Sequence, residues 1–133
     1  MATVTTYNVK NTSFTIDGTL ISGYADGDAI TIAYRGDGVS LVIGAAGDGE
    51  YSQSNDNSAE VTLSLQRTSA SQNYVEALYH AKQEFTLTII DKNDNARNRS
   101  SEQCRVQKVA DITGGAEASP REFVIIAPDL QSI

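Results

Sequence analysis

The dominant spacing of apolar residues along this chain is two. Phe14 and Ile16 alternate with Ser13 and Thr15, and Asp17-Gly18 separates them from Leu20 and Ile21. An Asp-Gly pair between short apolar runs predicts a hairpin, because a tight turn there needs residues that tolerate positive φ. Ile30, Ile32 and Tyr34 alternate with Ala29, Thr31 and Ala33; Arg35-Gly36-Asp37-Gly38 then breaks the run, and Val39 to Ile43 starts another strand. Val61, Leu63 and Leu65 point one way, while Glu60, Thr62, Ser64 and Gln66 point the other. That is a half-buried strand with one wet or partner-facing side. Phe85, Leu87 and Ile89 repeat the pattern with Thr86 and Thr88 between, and strands are predicted near 103–110 and 122–127.

Helical spacing is confined to residues 70–83, where Tyr74, Val75, Leu78, Tyr79 and Lys82 recur. Ser69 and Gln72 stand at the spacing of a capping box, in which each side chain satisfies an orphan backbone N–H. Two polar stretches lack either period. Residues 44–58, Gly-Ala-Ala-Gly-Asp-Gly-Glu-Tyr-Ser-Gln-Ser-Asn-Asp-Asn-Ser, read as a long functional loop, and residues 91–101 read as a second loop. Seven or eight short strands and one helix predict a mainly β chain, a β-barrel or two-sheet sandwich with one flanking α-helix, forming one domain over 1–133.

Composition narrows the function. Ten Lys and Arg stand against 17 Asp and Glu, a net charge of −7. Gripping nucleic acid requires a basic patch that displaces counterions from phosphates, so this balance argues against tight DNA or RNA binding. The single cysteine, Cys104, excludes an intrachain disulfide and reads as a small buried hydrophobe. Residues 1–7 have no basic region followed by an apolar run, and no apolar stretch approaches a membrane span, so assembly in a cytoplasm without membrane association is expected.

Candidate chemistry is sparse. His80 is the only histidine and lacks the partners that catalysis or metal binding demands. Asp91, Asn93, Asn95 and Glu102 occupy positions 1, 3, 5 and 12 of a calcium-binding EF-hand loop. Ala96 stands where the sharp turn needs Gly, Arg97 and Arg99 add positive charge, and a strand rather than a helix leads in. An ordinary hairpin loop is therefore the favoured reading, with a calcium site as the weak alternative. The pairs Asp17-Gly18, Asp26-Gly27, Asp37-Gly38 and Asp48-Gly49 are turn signatures before they are carboxylate pairs for glycoside hydrolysis. Arg35-Gly36-Asp37 is a chance tripeptide. No enzyme and no cofactor is expected.

The segment Val61-Thr62-Leu63-Ser64-Leu65-Gln66-Arg67-Thr68-Ser69, followed by Asn73 and Leu78-Tyr79, resembles the central signature of the short tail tube proteins of contractile-tailed bacteriophages. The opening Tyr7-Asn8-Val9-Lys10-Asn11, then Ile16-Asp17-Gly18, is similar to that family's start. So are the acidic-glycine run Gly44–Glu50, the strand Phe85–Ile90 and the closing strand near Phe123. The chain departs from the family in having Ala70-Ser71-Gln72 where Pro often follows the Thr-Ser pair, and Phe123 in place of Trp.

The resemblance implies a non-enzymatic structural subunit whose homo-hexameric rings stack into a hollow tube. That tube would lie inside a contractile sheath, between baseplate and tail terminator, with DNA passing transiently down the bore. The place implied is the virion tail, after assembly in the host cytoplasm. Loop 44–58, with Asp48, Glu50, Tyr51, Asn55 and Asp56, is the expected ring-stacking element, beside the N-terminal arm and the segment from Pro120. Thr62, Ser64, Thr86 and Thr88 are the bore-facing candidates. The alternatives are a type VI secretion tube subunit, a baseplate tube initiator, or a monomeric β-sandwich that binds a ligand or calcium.

Overall fold

The computed structural model describes residues 12–25, 29–91, 98–112, 114–115 and 119–132. Ten strands and one helix run along them: β1 (Thr12–Ile16), β2 (Thr19–Leu20), β3 (Ile30–Tyr34), β4 (Val39–Ile43), β5 (Gly49–Gln53), β6 (Ala59–Leu65), α1 (Ser71–Ala81), β7 (Phe85–Asp91), β8 (Arg99–Lys108), β9 (Arg121–Ala127) and β10 (Gln131–Ser132).

The Asp17-Gly18 hairpin is present. Both turn residues have positive φ, 51° and 82°, and Ile16 pairs with Thr19 across them. Such a turn matches the right-handed twist of its strands, and this is why two residues suffice. Asp17 also ties the turn to β7: its backbone N–H donates to the Thr86 carbonyl at 2.9 Å, and its Oδ1 accepts the Thr86 N–H at 2.8 Å.

All strand pairs are antiparallel, in the order β2-β1-β7-β8-β9-β6-β3, with β10 also on β8. The long strand β8 turns this path into two sheets. Its first half, Arg99 to Cys104, pairs with β7, and its second half, Arg105 to Lys108, pairs with β9. Near the end of the first half Gln103 adopts a left-handed φ of 58°, and the register against β7 slips by one residue between Ser101 and Cys104. A bulge of this kind bends a strand and lets it serve two sheets.

The alternating apolar positions meet between the sheets. Phe14, Ile16, Val61, Leu63, Leu65, Leu87, Phe123 and Ile125 are fully buried in one cluster, and α1 adds Val75 and Leu78. Cys104 joins the same core, and burial pushes its thiol pKa up, as for an unreactive packing residue.

Several expectations need correction. The helix begins at Ser71 and ends at Ala81, inside the expected range. It starts from Ala70 with no side-chain cap, so Ser69 and Gln72 do not form a capping box. The Ser69 hydroxyl accepts the Ser71 N–H at 3.3 Å and donates to the Ser22 carbonyl at 2.6 Å, while Gln72 donates to the Arg67 carbonyl and accepts from Arg121 at 2.7 Å. β8 begins at Arg99, so the second polar loop is shorter than expected. Residues 44–58 are not structureless, because they contain β5.

Candidate assembly surface

β4 and β5 form a two-stranded ribbon that belongs to neither main sheet. It leaves the body where β3 ends and rejoins it where β6 begins. The Arg35 N–H donates to the Ser58 carbonyl at 3.0 Å, and the Ser54 N–H to the Gly38 carbonyl at 2.8 Å. Gly44 and Asp48 close the tip through a 2.8 Å backbone bond. Every residue from Ala33 to Asn57 is exposed.

The ribbon is amphipathic. Residues directly opposite in an antiparallel pair share a face. Val39 faces Gln53, Leu41 faces Tyr51 and Ile43 faces Gly49, so four large apolar side chains stand together on one face. The methyl groups of Leu41 and Ile43 lie over Gly49, where a Cβ would meet them at 3.4 and 3.3 Å. The opposite face carries Ser40, Val42, Glu50 and Ser52. Val39, Leu41, Ile43 and Tyr51 remain 54–76% exposed. A lone hairpin is at best marginally stable in water, and a contiguous apolar face of this kind marks a surface made to be covered.

This arm contains the expected stacking residues, in four different settings. Asp48 lies in the tip. Tyr51 is on the apolar face and Glu50 on the polar one. Asn55 and Asp56 lie on the returning stem, where Asp56 Oδ1 accepts the Ser58 N–H at 2.9 Å. Hydrogen bonding from Ser58 holds the Asp56 carboxyl below its ordinary range, so that residue also shapes the stem. Sequence reading identified the strand Val39–Ile43 but not its exposure. The available signal was an apolar strand followed by a Gly-rich turn and a polar strand too short of apolar residues to join the core.

The four bore candidates separate onto two surfaces. Thr62 sits on the outer face of the β9-β6-β3 sheet, in register with Thr31 and Val124. Thr86 and Thr88 belong to the other sheet, where Thr88 is in register with Thr15 and Ser100. Ser64 is only 7% exposed. Its N–H donates to Ala29 and its carbonyl accepts from Ala25, so the chain beside β6 covers it and it offers almost no surface.

The EF-hand spacing falls partly outside the described residues, at Asn93 and Asn95. Asp91 ends β7 and Glu102 lies well inside β8, so strands rather than helices flank this segment. Asp91 Oδ1 accepts from Thr12 Oγ1 at 3.5 Å and its N–H donates to Asn98 Oδ1 at 2.7 Å. His80 is a surface residue on α1, 3.8 Å from Glu76. No helix among the described residues is long and apolar enough to cross a membrane.

The sheet path ends on two different strands, β2 and β3, each paired on one side only among the described residues. An edge strand of this kind can pair with another chain.

No family model matches the chain, and no curated protein matches it in sequence. Solved structures do match in fold. The tube-terminating cap of the anti-feeding prophage is similar with a TM-score of 0.67 and 10% identity, covering 100% of this chain and 94% of that one. A sheath/tube terminator of the extracellular contractile injection system PVC gives 0.65 and 10%, covering 99% of both chains. A chain of the PVC sheath-tube complex gives 0.63 and 11%, covering 95% of this chain and 91% of that one. At these identities the likeness is one of fold: a two-sheet β-sandwich with one helix, of the kind found in contractile tube assemblies.

Proposed function

We propose that this chain is a non-enzymatic structural subunit of a contractile tail, working by association with further copies of itself into a tube. The amphipathic arm β4–β5 carries this reading. It presents four large apolar side chains that the rest of the subunit does not cover. The open edges β2 and β3 support it further. Pairing one kind of edge with the other is a heterologous contact, and repetition of such a contact closes a ring when the rotation fits.

In this reading six copies form a ring and rings stack into a hollow tube inside a sheath, between baseplate and terminator, in the tail of a virion assembled in the host cytoplasm. A charge of −7 per copy keeps a bore from adhering to passing DNA phosphates. Thr62, or else Thr86 and Thr88, face that bore, since the two groups lie on different sheets. The arm residues Asp48, Glu50 and Tyr51 lie at the contact between copies.

A second reading is favoured by one observation. Two of the similar structures are tube terminators, matched over nearly their whole length. In this second reading the chain ends a tube and forms one ring only. Negative-stain imaging of the purified chain separates the two: long hollow tubes support the tube subunit, and single rings support the terminator. Monomers at every concentration, binding calcium by titration, would sink both in favour of a free binding module. A type VI secretion tube subunit or a baseplate initiator would also assemble, and its neighbouring genes would distinguish it.

A further inference from the structure

The arm prolongs the β3–β6 ribbon, with β4 following β3 and β5 leading into β6. Backbone bonds fix the hydrogen-bonded pairs at both ends of each ribbon. On β3–β6 they are Arg35 N–H to Ser58 and Ser64 N–H to Ala29; on β4–β5 they are Gly44 N–H to Asp48 and Ser54 N–H to Gly38. Hydrogen-bonded and non-hydrogen-bonded pairs alternate along an antiparallel ladder. Ile30, Ile32 and Tyr34 on β3, and Gly49, Tyr51 and Gln53 on β5, therefore fall in non-hydrogen-bonded pairs. Their N–H and C=O groups point away from the partner strand, toward the strand's outer edge. Because both apolar rows sit at the same ladder positions, the apolar face of the arm continues the core face of β3.

The β3 edge is built to be extended. It is five residues long, as β5 is, whereas β2 and β10 have two each. It holds no charged residue and no proline, the usual guards of an exposed edge. Ile30 and Ile32 pack on the core but stay half-buried, and Tyr34 is 49% exposed. The core row thus ends at this edge incompletely covered. Among the described residues its one strand partner is β6.

Direction selects β5 over β4 as the added strand. β4 lies on the same side of the ribbon as β3, so β4 of one copy against β3 of another joins like edges. With the apolar faces together, that contact needs a two-fold axis and closes at a dimer. β5 lies on the opposite side and runs antiparallel to β3. It meets the β3 edge of a copy in the same orientation, and such a heterologous contact repeats.

We infer that β5 of one copy adds as a strand to the β3 edge of the next, extending the sheet β9-β6-β3. The centred register sets Gln53 opposite Ile30, Tyr51 opposite Ile32 and Gly49 opposite Tyr34, with Ser52 opposite Thr31 on the polar face. This rests on the self-assembly reading above and gives the arm its partner strand. β2 could engage no more than two of the five β3 residues, whereas β5 matches all of them. The step from Ile32 to Leu41, which stands across from Tyr51, is about 30 Å at roughly 3.3 Å per residue. Joined copies are therefore offset along their strands, as copies in successive rings would be.

Single-cysteine variants Ser52→Cys and Thr31→Cys, mixed under mild oxidation, test it; Cys104 is buried and stays silent. Cα atoms in such a non-hydrogen-bonded pair lie about 4.5 Å apart, within disulfide reach. The expected result is a covalent mixed dimer, and a ladder of covalent oligomers when both cysteines are on one chain. A dimer from Val42→Cys with Thr31→Cys instead would show like edges meeting, and one from Ser52→Cys with Ser40→Cys would show arm meeting arm; either overturns the proposal. Tubes or rings without the Ser52–Thr31 cross-link overturn the β3 contact and leave the assembly reading standing. The ladder without tubes or rings keeps the contact and removes the tube. Neither product overturns both. In parallel, Gln53→Pro removes an outward N–H and no bond within the arm, and is expected to weaken assembly about tenfold. Unchanged assembly of Gln53→Pro contradicts the contact.

Discussion

Gly23 and Ser69 are packed so closely that a Cβ on Gly23 would lie 2.5 Å from the Ser69 hydroxyl and 2.6 Å from its Cβ. This contact fastens the segment after β2 to the turn before α1, since the same hydroxyl donates to the Ser22 carbonyl at 2.6 Å. Gly23 also has φ of +76°, a region that L residues disfavour by about 1–2 kcal/mol. Gly23→Ala is therefore expected to destabilise by at least about 2 kcal/mol, strain and clash together, in urea denaturation. Adding Ser69→Gly should relieve the clash but not the backbone strain. A double-mutant cycle that shows strict additivity would contradict the packing.

Asp17 serves β1 and β7 at once through its paired bonds with Thr86. Asp17→Ala removes a charge-assisted acceptor and leaves a non-glycine residue at positive φ, for an expected loss of about 2 kcal/mol. Asp17→Gly keeps the turn geometry and should cost less. Equal losses in the two variants would show that the side-chain acceptor alone, and not the turn conformation, sets the cost.

The apolar arm separates stability from assembly. Leu41→Asp and Tyr51→Ser change exposed positions, so the monomer's denaturation midpoint should move by no more than about 0.5 kcal/mol equivalent. Assembly should be lost, as seen by sedimentation. An arm variant that unfolds the subunit would mean that the ribbon packs on its own body.

Stability should be flat from neutral pH to about pH 9 and fall above it. Burial raises the Cys104 thiol above its ordinary 9.0 and the Tyr24 phenol above its ordinary 10.0. A group with a raised folded pKa contributes fully below its unfolded value and loses that contribution as pH climbs through the folded one. Denaturation midpoints across alkaline pH check this, and phenolate absorbance should show one tyrosine titrating late.

The core strands were legible because one face of each had to be buried. Val61, Leu63, Leu65, Phe85, Leu87 and Ile89 declare themselves by period two, and Asp17-Gly18 by its turn chemistry. The helix was legible from Val75 and Leu78, but not its start. Ser69 and Gln72 have the composition of a cap, but Ser69 accepts only the Ser71 N–H while donating to Ser22, and the Gln72 amide pairs with Arg67 and Arg121 instead of reaching back to Ser69. β5 was hidden because Gly49, Glu50, Ser52 and Gln53 have neither apolar alternation nor strand propensity; only the register against β4 makes it a strand. The separation of Thr62 from Thr86 and Thr88 was equally hidden, since alternation tells which residues leave the core but not which sheet they leave from.

If sister copies cover the arm, association is itself the activity. Sedimentation velocity over a concentration series, comparing the whole chain with a variant in which residues 39–53 are replaced by a short glycine link, tests it most directly. Gly38 and Ser54 are already hydrogen-bonded, so the link closes without distorting the body. The expected result is large assemblies of the whole chain at high concentration and a folded monomer, or at most a lone ring, for the shortened one. A whole chain that stays monomeric throughout, or a shortened chain that forms full-length tubes, would contradict it.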